Sequence, residues 1–152
     1  MTIAMEAQRT RSLLSQWGRV ERVAQTLPTD DPRRAELLNT VEQALVEAAP
    51  VRPVVAADLL HFTEKTVRDW VRAGVLRVRQ QRPRLLLDPM RLHEVAQLVA
   101  DLRQAGRTRK LLDEVYRRLA DQALLDRDDL AESLEQMQRS EGRKIRSGQT
   151  SA

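Results

Sequence analysis

One stretch, HFTEKTVRDWVRAGVL at residues 61–76, constrains the fold more than any other. Placed on a helix at about 100° per residue, Val67, Trp70 and Val71 fall on one side. Lys65, Arg68, Asp69 and Arg72 fall together on the other. Thr63 has the residue type and position of an N-cap, and Glu64 follows where a negative charge suits the helix dipole. Gly74 can take the left-handed conformation just past the end, which would fold Val75 back toward Trp70 in a Schellman ending. The tryptophan therefore reads as core and the basic face as surface.

The flanking sequence is punctuated at proline and glycine. Residues 5–26 carry Leu13, Leu14, Trp17, Val20, Val23, Ala24 and Leu27 near helical spacing. Asp31-Pro32 predicts a second helix start, because the carboxylate caps free N–H groups and proline suits the first helical position. That helix runs to about Ala48, with Leu37, Leu38, Val41, Ala44 and Leu45 on one side. APVRP then disfavours helix and predicts a module boundary. A short helix is expected over 54–60, and LRVRQQRPRLLL reads as two strands around a Gln-Gln-Arg-Pro tip. Asp88-Pro89 predicts a third capped start, with Leu92, Val95, Ala96, Val99 and Leu102 as its stripe and Gly106 as its end. Thr108 is placed to cap a helix carrying Leu111, Leu112, Val115 and Leu119. A last helix is expected at about 127–141, where Leu130, Leu134 and Met137 recur at i, i+4, i+7. The stripes on 89–105 and 108–122 are the candidates for dimerisation or for packing on each other. The polar end, 143–152, reads as a disordered basic tail.

Charge is segregated along the 152 residues. Residues 63–92 hold eight basic side chains against three acidic ones, whereas residues 113–141 hold nine acids and four bases. Such separation points to different partners for different segments. With no cysteine, disulfides and thiolate metal sites are excluded. No apolar run approaches the roughly 20 residues a membrane helix needs, and MTIAMEAQRTR lacks a signal-peptide core, so a cytoplasmic protein is expected. His61 and His93 have no companion ligands at metal spacing, the five glycines form no phosphate loop, and the acids follow helical surface patterns. No cofactor, metal or enzymatic activity is expected. Aromatics are too few for the stacking that single-stranded nucleic acids require.

VRPVVAADLLHFTEKTVRDWVRAGVLRV resembles the winged helix-turn-helix of the excisionase/MerR type. The residues that carry the likeness are Ala56-Ala57, Leu59-Leu60, Thr63, Thr66-Val67, Trp70, Gly74 and Leu76, over about 51–92. The resemblance implies that residues 63–72 form a recognition helix in the major groove of double-stranded DNA and that 76–88 form a wing. It makes Thr63, Lys65, Thr66 and Arg68 the groove candidates, and Arg72, Arg79, Arg82 and Arg84 the phosphate candidates. The helical face exposes Lys65, Arg68 and Arg72 independently. Departures are His61 where the family commonly has a turn glycine, the apolar opening Val54-Val55, and Asp69 on the reading face. Asp69 suits either an ion pair with Lys65 or Arg72, or acceptance of a bond from cytosine.

The acidic C-terminal third is similar in composition to bacterial antitoxins, in which an amphipathic helix wraps a toxin. That likeness implies partner contacts by Leu130, Leu134 and Met137; closure of a domain or dimer is the other reading. The expectation is thus a mostly α protein. An N-terminal helical hairpin occupies 1–50, a winged helix-turn-helix 51–105, helices for dimerisation or partner binding 106–142, and the tail 143–152. Its function would be sequence-specific transcriptional regulation, as a homodimer, with an autorepressing antitoxin as the alternative.

Overall fold

The computed structural model describes residues 2–149, without the side chains of residues 126, 129, 130, 133 and 140–149. The chain is mostly helical, with one small two-stranded antiparallel hairpin between helices. The order is α1 (Ile3–Gln25), α2 (Pro32–Glu47), α3 (Pro53–Leu60), α4 (Glu64–Arg72), β1 (Val78–Gln80), β2 (Leu86–Leu87), α5 (Pro89–Gln104) and α6 (Leu111–Gln149). Residues 1–115 form one unit and residues 116–152 a second.

Within the first unit, α1 packs on α2 and α3, α3 on α4, and α5 on α2 and α3. Val55, Ala56, Val67, Val75, Leu87, Leu92, Val95 and Leu102 are fully buried. APVRP is a corner inside this unit rather than a gap between two bodies. Val51 exchanges both backbone hydrogen bonds with Leu87, at 3.0 and 2.7 Å, and is itself buried. The apolar opening of α3 is explained by the same packing, since α3 lies against α1 and Val55 is fully buried.

The ends of the elements follow local chemistry. Asp31 caps α2, accepting from the Arg33 amide at 2.9 Å. Asp88 precedes Pro89 in the same way but makes no side-chain cap; its carboxylate holds Arg79 at 2.9 Å instead. α4 and α5 both close as Schellman endings. Val75 and Gly74 donate back to Trp70 and Val71, and Arg107 and Gly106 donate back to Leu102 and Arg103, with both glycines at positive φ.

Four expectations need correction. The C-terminal region is one helix, α6, where two were expected; residues 107–141 contain neither glycine nor proline, so nothing interrupts the backbone. Thr108 does not cap it. Lys110 has a positive φ of 56°, incompatible with helix, and α6 starts after it. The α5 stripe is not free to dimerise, because Leu92, Val95, Val99 and Leu102 are buried inside the first unit. The tail assigned to 143–152 is helical to Gln149, and residues 150–152 lie outside the described ones.

Candidate nucleic-acid interface

The candidate face is built on α4. Thr63 caps it as expected, accepting from the Thr66 amide at 3.2 Å, and the two threonine hydroxyls lie 2.9 Å apart. Thr63 and Thr66 thus satisfy each other at the start of the helix. Val67 and Trp70 are buried. The Trp70 ring lies 4.8 Å from that of Phe62, whose outer face carries the Arg103 guanidinium at 4.9 Å. This aromatic pair fixes the rotation of α4, so Lys65, Arg68, Asp69 and Arg72 are all turned to solvent.

The turn before α4 is tight because His61 adopts φ 56° and ψ 45°. Its amide and that of Phe62 both return to the Ala57 carbonyl. An L residue in this region is uncommon, and histidine is among those that tolerate it. The geometry the glycine would have given is therefore present.

The cations on α4 are not equally available. Arg68 pairs with Glu64 at 3.0 Å, and Arg72 pairs with Asp69. Of the readings open for Asp69, the intrahelical ion pair is the one observed. Lys65 is exposed and has no ion pair among the described residues. Surface pairs of this kind are worth about 0–1 kcal/mol, so both guanidiniums remain recruitable by a phosphate.

The hairpin divides its arginines. β1 and β2 pair Val78 with Leu87 and Gln80 with Leu86, which leaves Arg79 as an extra residue on β1. Such a bulge re-aims a side chain. Arg79 turns to Asp88 and to the Val46 carbonyl, at 2.9 and 3.3 Å. Its guanidinium staples the hairpin to the end of α2 and is committed to the protein. Arg82 and Arg84 are exposed at the tip. The tip is closed by Gln80 donating to the Arg84 carbonyl at 3.2 Å.

Several linking residues escaped the sequence reading. Arg52 holds Glu6 of α1, with its Nε at 3.0 Å; that hydrogen bond, reinforced by the charges of Arg52 and Arg84, keeps the Glu6 carboxyl below its usual pKa. His93, read as solvated or structural, is buried and bonded to Glu21 of α1. Arg91 is largely buried in the first turn of α5. Burial lowers its pKa, and burial raises that of its neighbour Glu94. No short-range pattern announces the Arg52–Glu6 and His93–Glu21 pairs.

On α6, Leu134 and Met137 are about half-exposed, as are Leu124 and Leu125. The Leu130 side chain lies outside the described residues. Among the described residues no group of His, Cys, Asp and Glu could hold a metal ion, and no helix is long and apolar enough to cross a membrane. Comparison with protein-family models, curated proteins and solved structures gives no match.

Proposed function

We propose that residues 51–105 form a winged helix-turn-helix that binds double-stranded DNA, and that the protein is a sequence-specific transcriptional regulator. The observation that carries the reading is α4. It is a short helix with Val67 and Trp70 locked inward and Lys65, Arg68 and Arg72 turned to solvent, set off from α3 by a left-handed residue. A helix of this size enters a major groove about 12 Å wide. Lys65 and Arg68 would reach base edges there. Arg72, Arg82 and Arg84 would meet phosphates, whose neutralisation releases counterions and makes binding salt-dependent. Arg79 acts in this reading as the hairpin's anchor. Thr63 and Thr66 shape the helix start and approach the backbone of the duplex. One recognition helix covers few base pairs, so a homodimer on two half-sites is the working form.

Fluorescence anisotropy with duplex DNA from upstream of the gene tests this. The reading expects tight, salt-sensitive binding that is lost when Lys65, Arg68 and Arg72 are all changed to alanine. Binding indifferent to the three changes would refute it.

A second reading is favoured by the half-exposed Leu124, Leu125, Leu134 and Met137 on the acidic α6. In it, residues 107–142 dock on a protein partner and the chain is an antitoxin that also represses its own operon. An amphipathic helix laid in an apolar groove is the expected mode. Unchanged duplex binding by the triple variant would make this the leading reading.

A further inference from the structure

α1 and α5 do not close on each other completely. Between them, with α3 at one side, lies a cleft of about 300 Å³. This is at the lower end of the range for small-molecule sites. Its polar lining is Arg11, Ser15, Arg22, His93 and Gln97, and no aspartate or glutamate lines it. Of the carboxylates adjacent in sequence to lining residues, Glu21 is bonded to His93 and Gln97, and Asp58 to Arg11. Leu14, Leu59 and Ala96 supply apolar wall. The lining therefore presents two guanidiniums, Arg11 and Arg22, with Ser15, His93 and Gln97 beside them and apolar wall between.

Gly18 floors the cleft. A glycine in mid-helix is less stabilising than alanine, and here it is in ordinary negative-φ helix, so backbone conformation does not require it. What it leaves open is a point ringed by Gln97 Nε2 at 3.4 Å, an Arg22 guanidinium nitrogen at 3.6 Å and the His93 ring at 3.6 Å. Arg22 thus folds back along α1 over Gly18. It has no hydrogen bond or ion pair among the described residues. Arg11 lies on the same face at the other end, tied only to Gln8 and, at 2.8 Å, to the exposed Asp58. From Arg11 to Gly18 is roughly 10 Å along a helix rising 1.5 Å per residue.

We propose that this cleft binds a small dicarboxylic acid, one carboxylate on Arg22 and Gln97 and the other on Arg11, with its methylene body against Leu14, Leu59 and Ala96. The guanidinium fork matches a carboxylate in geometry and charge. The Arg11–Asp58 pair is a surface pair of low worth, so a ligand carboxylate competes with Asp58 for Arg11.

The test is thermal unfolding of the full chain, at fixed ionic strength, with succinate, adipate and suberate, and with adipamide as the neutral control. Binding to the folded state raises Tm saturably, by roughly 5–10 °C at a hundredfold excess over Kd. Arg22 is exposed, so Arg22→Gln should fold normally and lose at least about tenfold in affinity for the diacid. Gly18→Ala, which places a methyl at the ringed point, should also weaken the response while leaving the unliganded protein at least as stable. A saturable rise with any of the three acids, absent with adipamide and weakened by Arg22→Gln, supports the site. No saturable rise with any acid, or a rise equal in Arg22→Gln, overturns it.

Discussion

Removing the acids from the proposed reading helix should strengthen DNA binding in a calculable way. Glu64 and Asp69 each hold one of the arginines on which α4 depends. A base edge recruits Arg68, and a phosphate Arg72, only by displacing its partner, at about 0.2–1 kcal/mol for an exposed pair. The double substitution Glu64→Gln, Asp69→Asn abolishes both displacements. Binding at low salt should tighten by the sum, roughly 2- to 30-fold. Freeing Arg72 for a phosphate should also steepen the dependence of log K on log[salt] by up to about 0.9, the figure for one phosphate contact. Between 50 and 200 mM salt the variant should then lose up to about 3.5-fold more affinity than the unaltered protein. Anisotropy titrations across that range measure both quantities. Loss of Glu64 from the first turn costs about 0.3–1 kcal/mol of helix stability, so circular dichroism must first show the variant folded. The control is Glu36→Gln, Glu47→Gln, which removes the same charge from exposed positions on α2. Equal changes in variant and control would reduce the effect to net charge. An unaltered slope would mean that α4 does not lie on the phosphates.

Other perturbations probe the scaffold. Trp70→Ala should cost about 3–5 kcal/mol through the cavity it leaves beside Phe62, and a wild-type melting temperature would show that the aromatic pair does not hold α4. His61→Gly should be neutral or stabilising by up to about 1 kcal/mol, because it relieves a left-handed L residue at some entropic cost. His61→Val should lose about 1–2 kcal/mol; equal urea midpoints for the two would rule out the left-handed turn. The Glu6 carboxyl is held low, chiefly by its hydrogen bond from Arg52. A lowered folded-state pKa stabilises above the unfolded value, about 4.3, and that contribution is lost as pH falls through the folded value. Glu6→Gln should therefore be less stable than the parent near pH 7 and equal to it at the acid end; a gap that persists in acid would contradict the linkage.

What was legible in the sequence is what short-range chemistry decides. Asp31-Pro32, Thr63, Gly74 and Gly106 each fixed an element end within a few residues, and the Val67/Trp70 face was readable from spacing alone. Even the missing turn glycine could be anticipated, because histidine tolerates the conformation required. The failures came from partners distant in the chain. Arg79 read as a free phosphate ligand until a bulge aimed it at Asp88 and the end of α2. The pairing of the buried His93 went unread because Glu21 lies 72 positions away. Spacing also misled on α1, where Leu13 and Val23 are exposed and the buried positions include Ala7 and Gly18. Small residues at buried positions carry little hydrophobic signal, so a hydrophobicity pattern does not register them.

The ties across the first unit bear on whether the 51–105 segment can be moved between proteins. Arg52–Glu6, Arg11–Asp58 and His93–Glu21 each join the 51–105 segment to α1, and Arg79 joins it to the end of α2. The segment is therefore not a portable cassette. Grafted elsewhere without its first fifty residues, it would lose α1, on which α3 packs, and leave His93 without its carboxylate. Gene fusions or recombination events that preserve the fold of this segment should have their joints before α1 or beyond α5, not at the proline-rich corner that looks like a seam.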